Sequence, residues 1–189
     1  MFIAGAAIKW LRDSMKLINS AAETETLAAS LESNDGVYFV PAFAGLGAPY
    51  WDMEARGLIM GMTQGTNRKH IARAVLEAIA YQSKDVIDAM QEDSKIKLEK
   101  LFVDGGACVN NFLMQFQANI LSTAVYRPKN IETTATGAAF MAGLAVGFCK
   151  KSELKNYKEV ERVFEPSMQQ HEIDFLYKNW KKAIEKTRF

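Results

Sequence analysis

Residues 101–119 read LFVDGGACVNNFLMQFQAN: an apolar run of Leu101, Phe102 and Val103, then Asp104, the double glycine Gly105-Gly106, and a helical pattern starting near Val109. An apolar strand that delivers paired glycines to a helix N-terminus builds a nucleotide seat. Glycine lets the main chain come close to a ligand, and the free N–H groups of a first helical turn, with the positive end of the dipole, favour an anion. The same junction needs glycine for steric reasons in many α/β proteins. Its spacing is neither the dinucleotide fingerprint nor the phosphate loop ending in Gly-Lys-Ser/Thr. Taken alone, the stretch leaves a steric hinge and a nucleotide seat both open.

Upstream, Met1–Ala4 reads as the end of a strand turning at Gly5 into a helix that carries Ile8, Leu11, Met15 and Ile18 at helical spacing. A second helical stretch covers 21–31, the cluster Ser33-Asn34-Asp35-Gly36 makes a turn, and Val37–Val40 is a strand. Pro41–Asp52, PAFAGLGAPYWD, has the composition of an ordered loop with packed aromatics, in which Tyr50 and Trp51 either stack on a ligand or, the reading favoured after Gly-Ala-Pro, pin the loop to the core. After a short strand at 57–62 and a turn at 64–67 comes the longest helix. Its stripe of Ile71, Ala74, Val75, Ala78, Ile79, Val86, Ile87 and Met90 requires a sheet beneath it.

Downstream of the double glycine, a strand at 125–127 closes at Pro128. A helix over 134–147 follows, so poor in side-chain bulk (Gly137, Ala138, Ala139, Ala142, Gly143, Ala145) that close packing against neighbours is expected. The charged segment 150–166 includes a short helix and an extended Arg162-Val163-Phe164. A last helix from about 170 to 186 presents Ile173, Leu176, Tyr177, Trp180 and Ile184 to the body. Strands alternating with helices make this an α/β chain with ligand chemistry at the loops after its strands.

A chain of 189 residues is long enough for one domain to bury a core without staples. Cys108 and Cys149 lack metal-ligand or redox spacing and fit a reducing, cytoplasmic compartment. A net charge of +1 with interleaved signs argues against nucleic acid and membrane surfaces as partners, and no segment reads as a membrane span. His70 and His171 read as solvated surface residues, Glu77 as a solvated helix acid in preference to one facing a cleft, and Gly61 and Gly65 as backbone devices.

Three blocks go beyond a generic α/β pattern. GLIMGMTQGTNRKHIARAVLE (57–77) resembles the C-terminal signature of the FGGY carbohydrate kinases. PAFAGLGAPYWD (41–52) and VDGGACVNNFLMQFQ (103–117) are similar to the glycerol kinase branch of that family. The resemblance spans essentially the whole chain, 1–189. It implies an actin-like ATPase domain of the ribonuclease-H-like type, N-terminally incomplete, with helices on a mixed sheet. The family reaction moves the γ-phosphoryl of ATP, with Mg2+, onto glycerol to give sn-glycerol 3-phosphate, chemistry that rests on positioning and charge neutralisation.

Carried over by position, the resemblance makes Gly106 and Asn110 ATP contacts, with Gly105 as steric companion, and Gly5 and Lys9 a second contact pair. Lys9 departs from the glutamine of the family pattern, which puts a charge where a neutral amide is expected. The glycerol-binding residues, the aspartate base and the Gly-Thr-Gly phosphate turn of the family lie upstream of Met1, so no catalytic residue and no Mg2+ ligand is identifiable here. The implied partners are an adenine nucleotide, an N-terminal kinase half or full-length subunit, and further copies in a homo-oligomer. The chain alone is expected to be inactive. The alternative is a non-catalytic, truncated actin-like module acting through protein association.

Overall fold

The computed structural model describes residues 3–148, 150–152 and 159–188. Met1 and Phe2 of the expected first strand, Cys149, and most of the expected short helix of the charged segment lie outside the described residues; Ile3 and Ala4 are not in a strand.

Helix α1, Gly5–Asp13, buries Ala7, Ile8 and Leu11 on one face. It stops short of the predicted stripe because Lys16 takes a left-handed conformation (φ 55°), which turns Met15 out to solvent and lets Ile18 enter the core from the turn. Helix α2, Glu23–Ala29, is shorter than the 21–31 expected. Strands β1, Tyr38–Val40, and β2, Leu58–Met60, pair antiparallel with Phe39 opposite Ile59. Gly61, just after β2, has φ 85°, and a Cβ there would lie 1.8 Å from the Gly36 carbonyl oxygen, so side chains are excluded on two counts.

The loop between these strands is ordered as expected: Leu46 and Asp52 exchange backbone hydrogen bonds of 2.6 and 2.9 Å. Its aromatics divide. Tyr50 packs against the core and its hydroxyl accepts from Lys181 Nζ at 2.8 Å, whereas Trp51 is 72% exposed and pins nothing.

Helix α3, Arg68–Ser94, starts at the N-cap Asn67, whose side chain accepts from Lys69 N at 3.0 Å. It lies against β1 as its stripe requires, and also between α2 and helix α4 (Asn111–Leu121), so its burial is wider than one face. Met90, assigned to the stripe, projects past these neighbours into solvent. Two polar residues on α3 correct their expected exposure. His70 is buried: Nδ1 accepts from Asn67 N at 3.2 Å, closing a capping box, and Nε2 meets Asp35 at 3.1 Å. Glu77 is 2% exposed and bonded to Arg73 and Asn34.

Strand β3, Lys100–Phe102, runs parallel to β4, Ala124–Pro128, which pairs antiparallel with β5, Val160–Phe164, giving a mixed sheet in the order β3-β4-β5. Helix α5, Thr133–Ala145, contradicts its expected close packing, since Gly143 is its one buried residue. Its small side chains leave little apolar area to bury against the rest of the chain, and Met141 (71% exposed) stands in solvent with Val146 and Phe148 beyond the helix end. Helix α6, Gln170–Glu185, docks through Ile173, Trp180, Ala183 and Ile184, with Trp180 stacked on Tyr81 at 5.2 Å between ring centres.

Candidate functional site

The glycine junction lies where β3 leaves the sheet. Gly105 has φ 76°, a conformation open to glycine and costly for other residues, and its N–H donates to the Ile131 carbonyl at 2.9 Å. A 3-10 turn, Gly106–Val109, comes next, and α4 begins after it. A Cβ on Gly5, Gly105 or Gly106 would meet nothing within 4 Å, so all three glycines border open space.

That space is a cavity of about 550 Å³ between the start of α1 and the glycine junction. Gly5, Lys9 and Arg12 line it from α1, and Asp104, Gly105 and Gly106 from the other side. Four of the five residues assigned to nucleotide by resemblance thus converge from positions about a hundred residues apart in sequence. Lys9 is exposed on the cavity wall, while the Arg12 guanidinium is engaged with its neighbour Asp13, which holds that carboxyl below its usual range. Asp104 accepts a hydrogen bond from the Thr133 hydroxyl.

Asn110 stands apart from the other four. It is buried, its Oδ1 accepts from Leu113 N at 2.9 Å as the N-cap of α4, and its Nδ2 donates to Thr24 Oγ1 at 3.1 Å. Glu25 covers the next amide, accepting from Asn111 N at 3.0 Å and from Asn111 Nδ2 at 2.8 Å. The first turn of α4 is therefore capped by the protein's own side chains, which corrects the expectation of free helix-terminal N–H groups waiting for an anion. The glycine main chain, and not the helix end, faces the cavity.

Sequence reasoning missed Arg127, Glu25 and Thr24, which hold this junction from other elements. Arg127 is buried on β4, and Nη1 donates to the carbonyls of Cys108 (3.0 Å) and Val109 (3.2 Å) and to Asn111 Oδ1 (3.2 Å). A basic residue inside an apolar strand, VYRP, was the available signal. Burial pushes the Cys108 thiol up from its ordinary range, leaving it a packing residue behind the turn.

A second cavity of about 510 Å³ lies on the far side of Asp104, between α5 and the ends of β3, β4 and β5, lined by Phe102, Val103, Pro128, Gly137, Phe140 and Val160 among others. Among the described residues, no three His, Cys, Asp or Glu side chains gather where they could hold a metal ion. None of the described helices is long and apolar enough to cross a membrane.

Comparison with known proteins places this geometry in a family. The model of the C-terminal domain of the FGGY family of carbohydrate kinases matches residues 1–146. Glycerol kinase of Treponema denticola is 60% identical over 187 residues, 98% of this chain and 38% of that protein. Glycerol kinase 2 of Thermotoga maritima is 60% identical over 188 residues, again 38% of its length. The chain therefore spans little more than a third of these relatives. Among solved structures, Plasmodium falciparum glycerol kinase with ADP superposes with a TM-score of 0.87 at 37% identity, covering 98% of this chain and 37% of that one. A ligand-bound xylulose kinase from Lactobacillus acidophilus, at 24% identity and a TM-score of 0.77, shares the fold. The α/β architecture is thus that of the actin-like sugar kinases, and the chain belongs to the FGGY family of carbohydrate kinases, whose C-terminal domain it carries.

Proposed function

We propose that this chain is the nucleotide-binding C-terminal part of a glycerol kinase, an enzyme that transfers the γ-phosphoryl of ATP to glycerol to give sn-glycerol 3-phosphate. The observation that carries the reading is the convergence of Gly5, Lys9, Gly105 and Gly106 on one cavity in a chain 60% identical to glycerol kinases. Bare glycine walls let a flat, bulky ligand lie against main chain. Here Gly5, Gly105 and Gly106 form the wall, Lys9 faces the ligand with a positive charge, and Asn110 acts from behind by fixing the turn.

ATP would supply the phosphoryl group. Mg2+ would arrive with the phosphates, because the described residues offer no cluster to hold it. The domain assignment over 1–189 and the cytoplasmic setting belong to the same reading. It also names a partner. The second cavity, with the exposed Phe102 at the end of β3 and Thr133, Thr136 and Gly137 of α5 in its lining, offers a surface for the N-terminal kinase half or a full-length subunit. Assembly into a homo-oligomer is part of the proposal. That open surface equally suits the alternative of an actin-like module working by protein association alone.

The test is calorimetric titration of ADP into the chain, beside Gly106→Val. A Cβ at 106 has no atom beyond its chain neighbours within 4 Å. The variant is therefore expected to unfold at the wild-type urea midpoint while losing about tenfold in ADP affinity. Equal affinity in the two chains, or no saturable binding by the wild type at millimolar ADP, overturns the nucleotide reading. The chain alone is expected to produce no glycerol phosphate from ATP and glycerol, and turnover above a mock preparation would contradict that.

A further inference from the structure

We infer that Arg127 is a positioning residue for the nucleotide seat, holding the Gly105–Asn111 main chain in register from the neighbouring strand; the inference rests on the nucleotide reading of the first cavity.

Arg127 sits on β4 with its side chain 8% exposed, and its planar guanidinium is used in two directions. Nε and Nη2 fork onto the Glu161 carboxylate of β5 at 2.6 and 3.2 Å, which fixes the plane of the group. Nη1 then points the other way and donates to Cys108 O, Val109 O and Asn111 Oδ1. These acceptors span the end of the 3-10 turn and the start of α4, where a change of helix type leaves carbonyls without regular partners. Arg162, also on β5, adds a hydrogen bond to Asn111 Oδ1 at 3.1 Å and lies over the Phe164 ring, which Arg127 also faces.

The consequence lies two residues upstream. The glycine pair has no side chain to fix it, so its position is set by its ends. At one end Gly105 N is tied to Ile131 O at 2.9 Å, and at the other Arg127 holds residues 108, 109 and 111. Freeing the second end lets the most permissive backbone in the chain wander, which costs a ligand its ordering entropy on binding. Lysine cannot replace this arginine. A single ammonium has no fork with which to hold the carboxylate on one side and the turn on the other.

An exposed ion pair beside the same strands separates positioning from mere stability. Lys129 Nζ meets Glu159 at 2.7 Å, both largely exposed, so Lys129→Gln removes a contact between the end of β4 and the start of β5 while Arg127 keeps its bonds to Glu161 and to the turn. The experiment compares wild type, Arg127→Lys and Lys129→Gln by ADP titration and by amide hydrogen exchange resolved over 105–111 and over α3. Arg127→Lys is expected to bind ADP about tenfold more weakly and to exchange faster over 105–111 with α3 protection unchanged, and Lys129→Gln to stay within about twofold of wild type in affinity. If Arg127→Lys does not fold, Asn111→Ala, which removes the side-chain acceptor at the turn, carries the same prediction at about threefold. Wild-type ADP binding left unchanged by Arg127→Lys, or by its substitute, overturns this inference alone. Absence of ADP binding by the wild type overturns the nucleotide reading and this inference with it.

Discussion

Arg73 Nε donates to Glu77 Oε1 at 2.7 Å across one turn of α3, and the carboxylate it meets is 2% exposed. Asn34 Nδ2 supplies a second donor to that carboxylate at 2.9 Å, and the Arg73 guanidinium bonds the Leu31 carbonyl and stacks over Phe112 at 5.1 Å. The pair therefore joins α3 to the turn after α2 and to α4. Removing the cation leaves a buried, unpaired acid, and Arg73→Met is expected to cost about 3–5 kcal/mol in urea unfolding. Glu77→Gln, which keeps an acceptor for Arg73, is expected to cost less.

The same carboxyl carries a pH dependence. Burial pushes Glu77 up from its ordinary 4.5, against the opposing pull of Arg73 and Asn34. An acid whose folded value is raised binds its proton more tightly folded than unfolded, so its contribution to stability grows as pH falls through the raised value toward 4.5. Urea midpoints of wild type and Glu77→Gln measured from pH 7 downward are expected to show the difference shifting in favour of wild type as pH falls. A constant difference would contradict the buried assignment.

Gly61→Ala combines a left-handed backbone with a methyl placed on the Gly36 carbonyl oxygen. Neither neighbour is a flexible side-chain end, so the β2 turn must move. The expected loss is about 3 kcal/mol or more, read as a drop in the thermal midpoint, while Gly65→Ala, at ordinary φ and with only the Thr63 hydroxyl nearby, is expected to be mild.

Asp85 is 3% exposed and accepts from Tyr177 (2.7 Å), Trp180 Nε1 (2.8 Å) and Lys181 (2.9 Å), with Lys181 continuing to Tyr50. One α3 acid thereby fastens α6 and the aromatic loop together. Burial beside this acid also raises both the Tyr50 and Tyr177 hydroxyls above their ordinary 10.0. Asp85→Leu is expected to cost about 3–5 kcal/mol, with altered Trp180 fluorescence and early proteolytic release of α6.

His70→Ala removes the reciprocal half of the α3 capping box and is expected to cost about 1–2 kcal/mol. His70→Gln retains an acceptor at the same position and is expected to recover part of that loss, with helix content by circular dichroism as the readout.

Much of the chain was legible from local rules. The apolar periodicity of α3 and α6, the Ser33–Gly36 turn and the aromatic loop all follow from spacing and turn chemistry, because neighbours in sequence determine them. The exposure of polar side chains was not legible where distant segments cover them. His70 and Glu77 carry no local mark of being covered; α2 and the 33–36 turn cover them only after the chain has folded back. The weakness of α5 packing was invisible for the converse reason, since a run of small residues is compatible both with close contact and with exposure, and nothing local says that Gly143 alone is buried.

The sequence by itself determined the family and located the paired glycines, because the signature blocks and the steric demand for glycine are properties of short segments. Only the tertiary structure decided that Gly5 and Lys9 share a cavity with Gly105 and Gly106, that the first turn of α4 is capped from within, and that Arg127 stands behind the turn. Those relations join α1, α2, β4 and β5 across long stretches of chain, and they exist only when burial of the apolar faces brings those elements together.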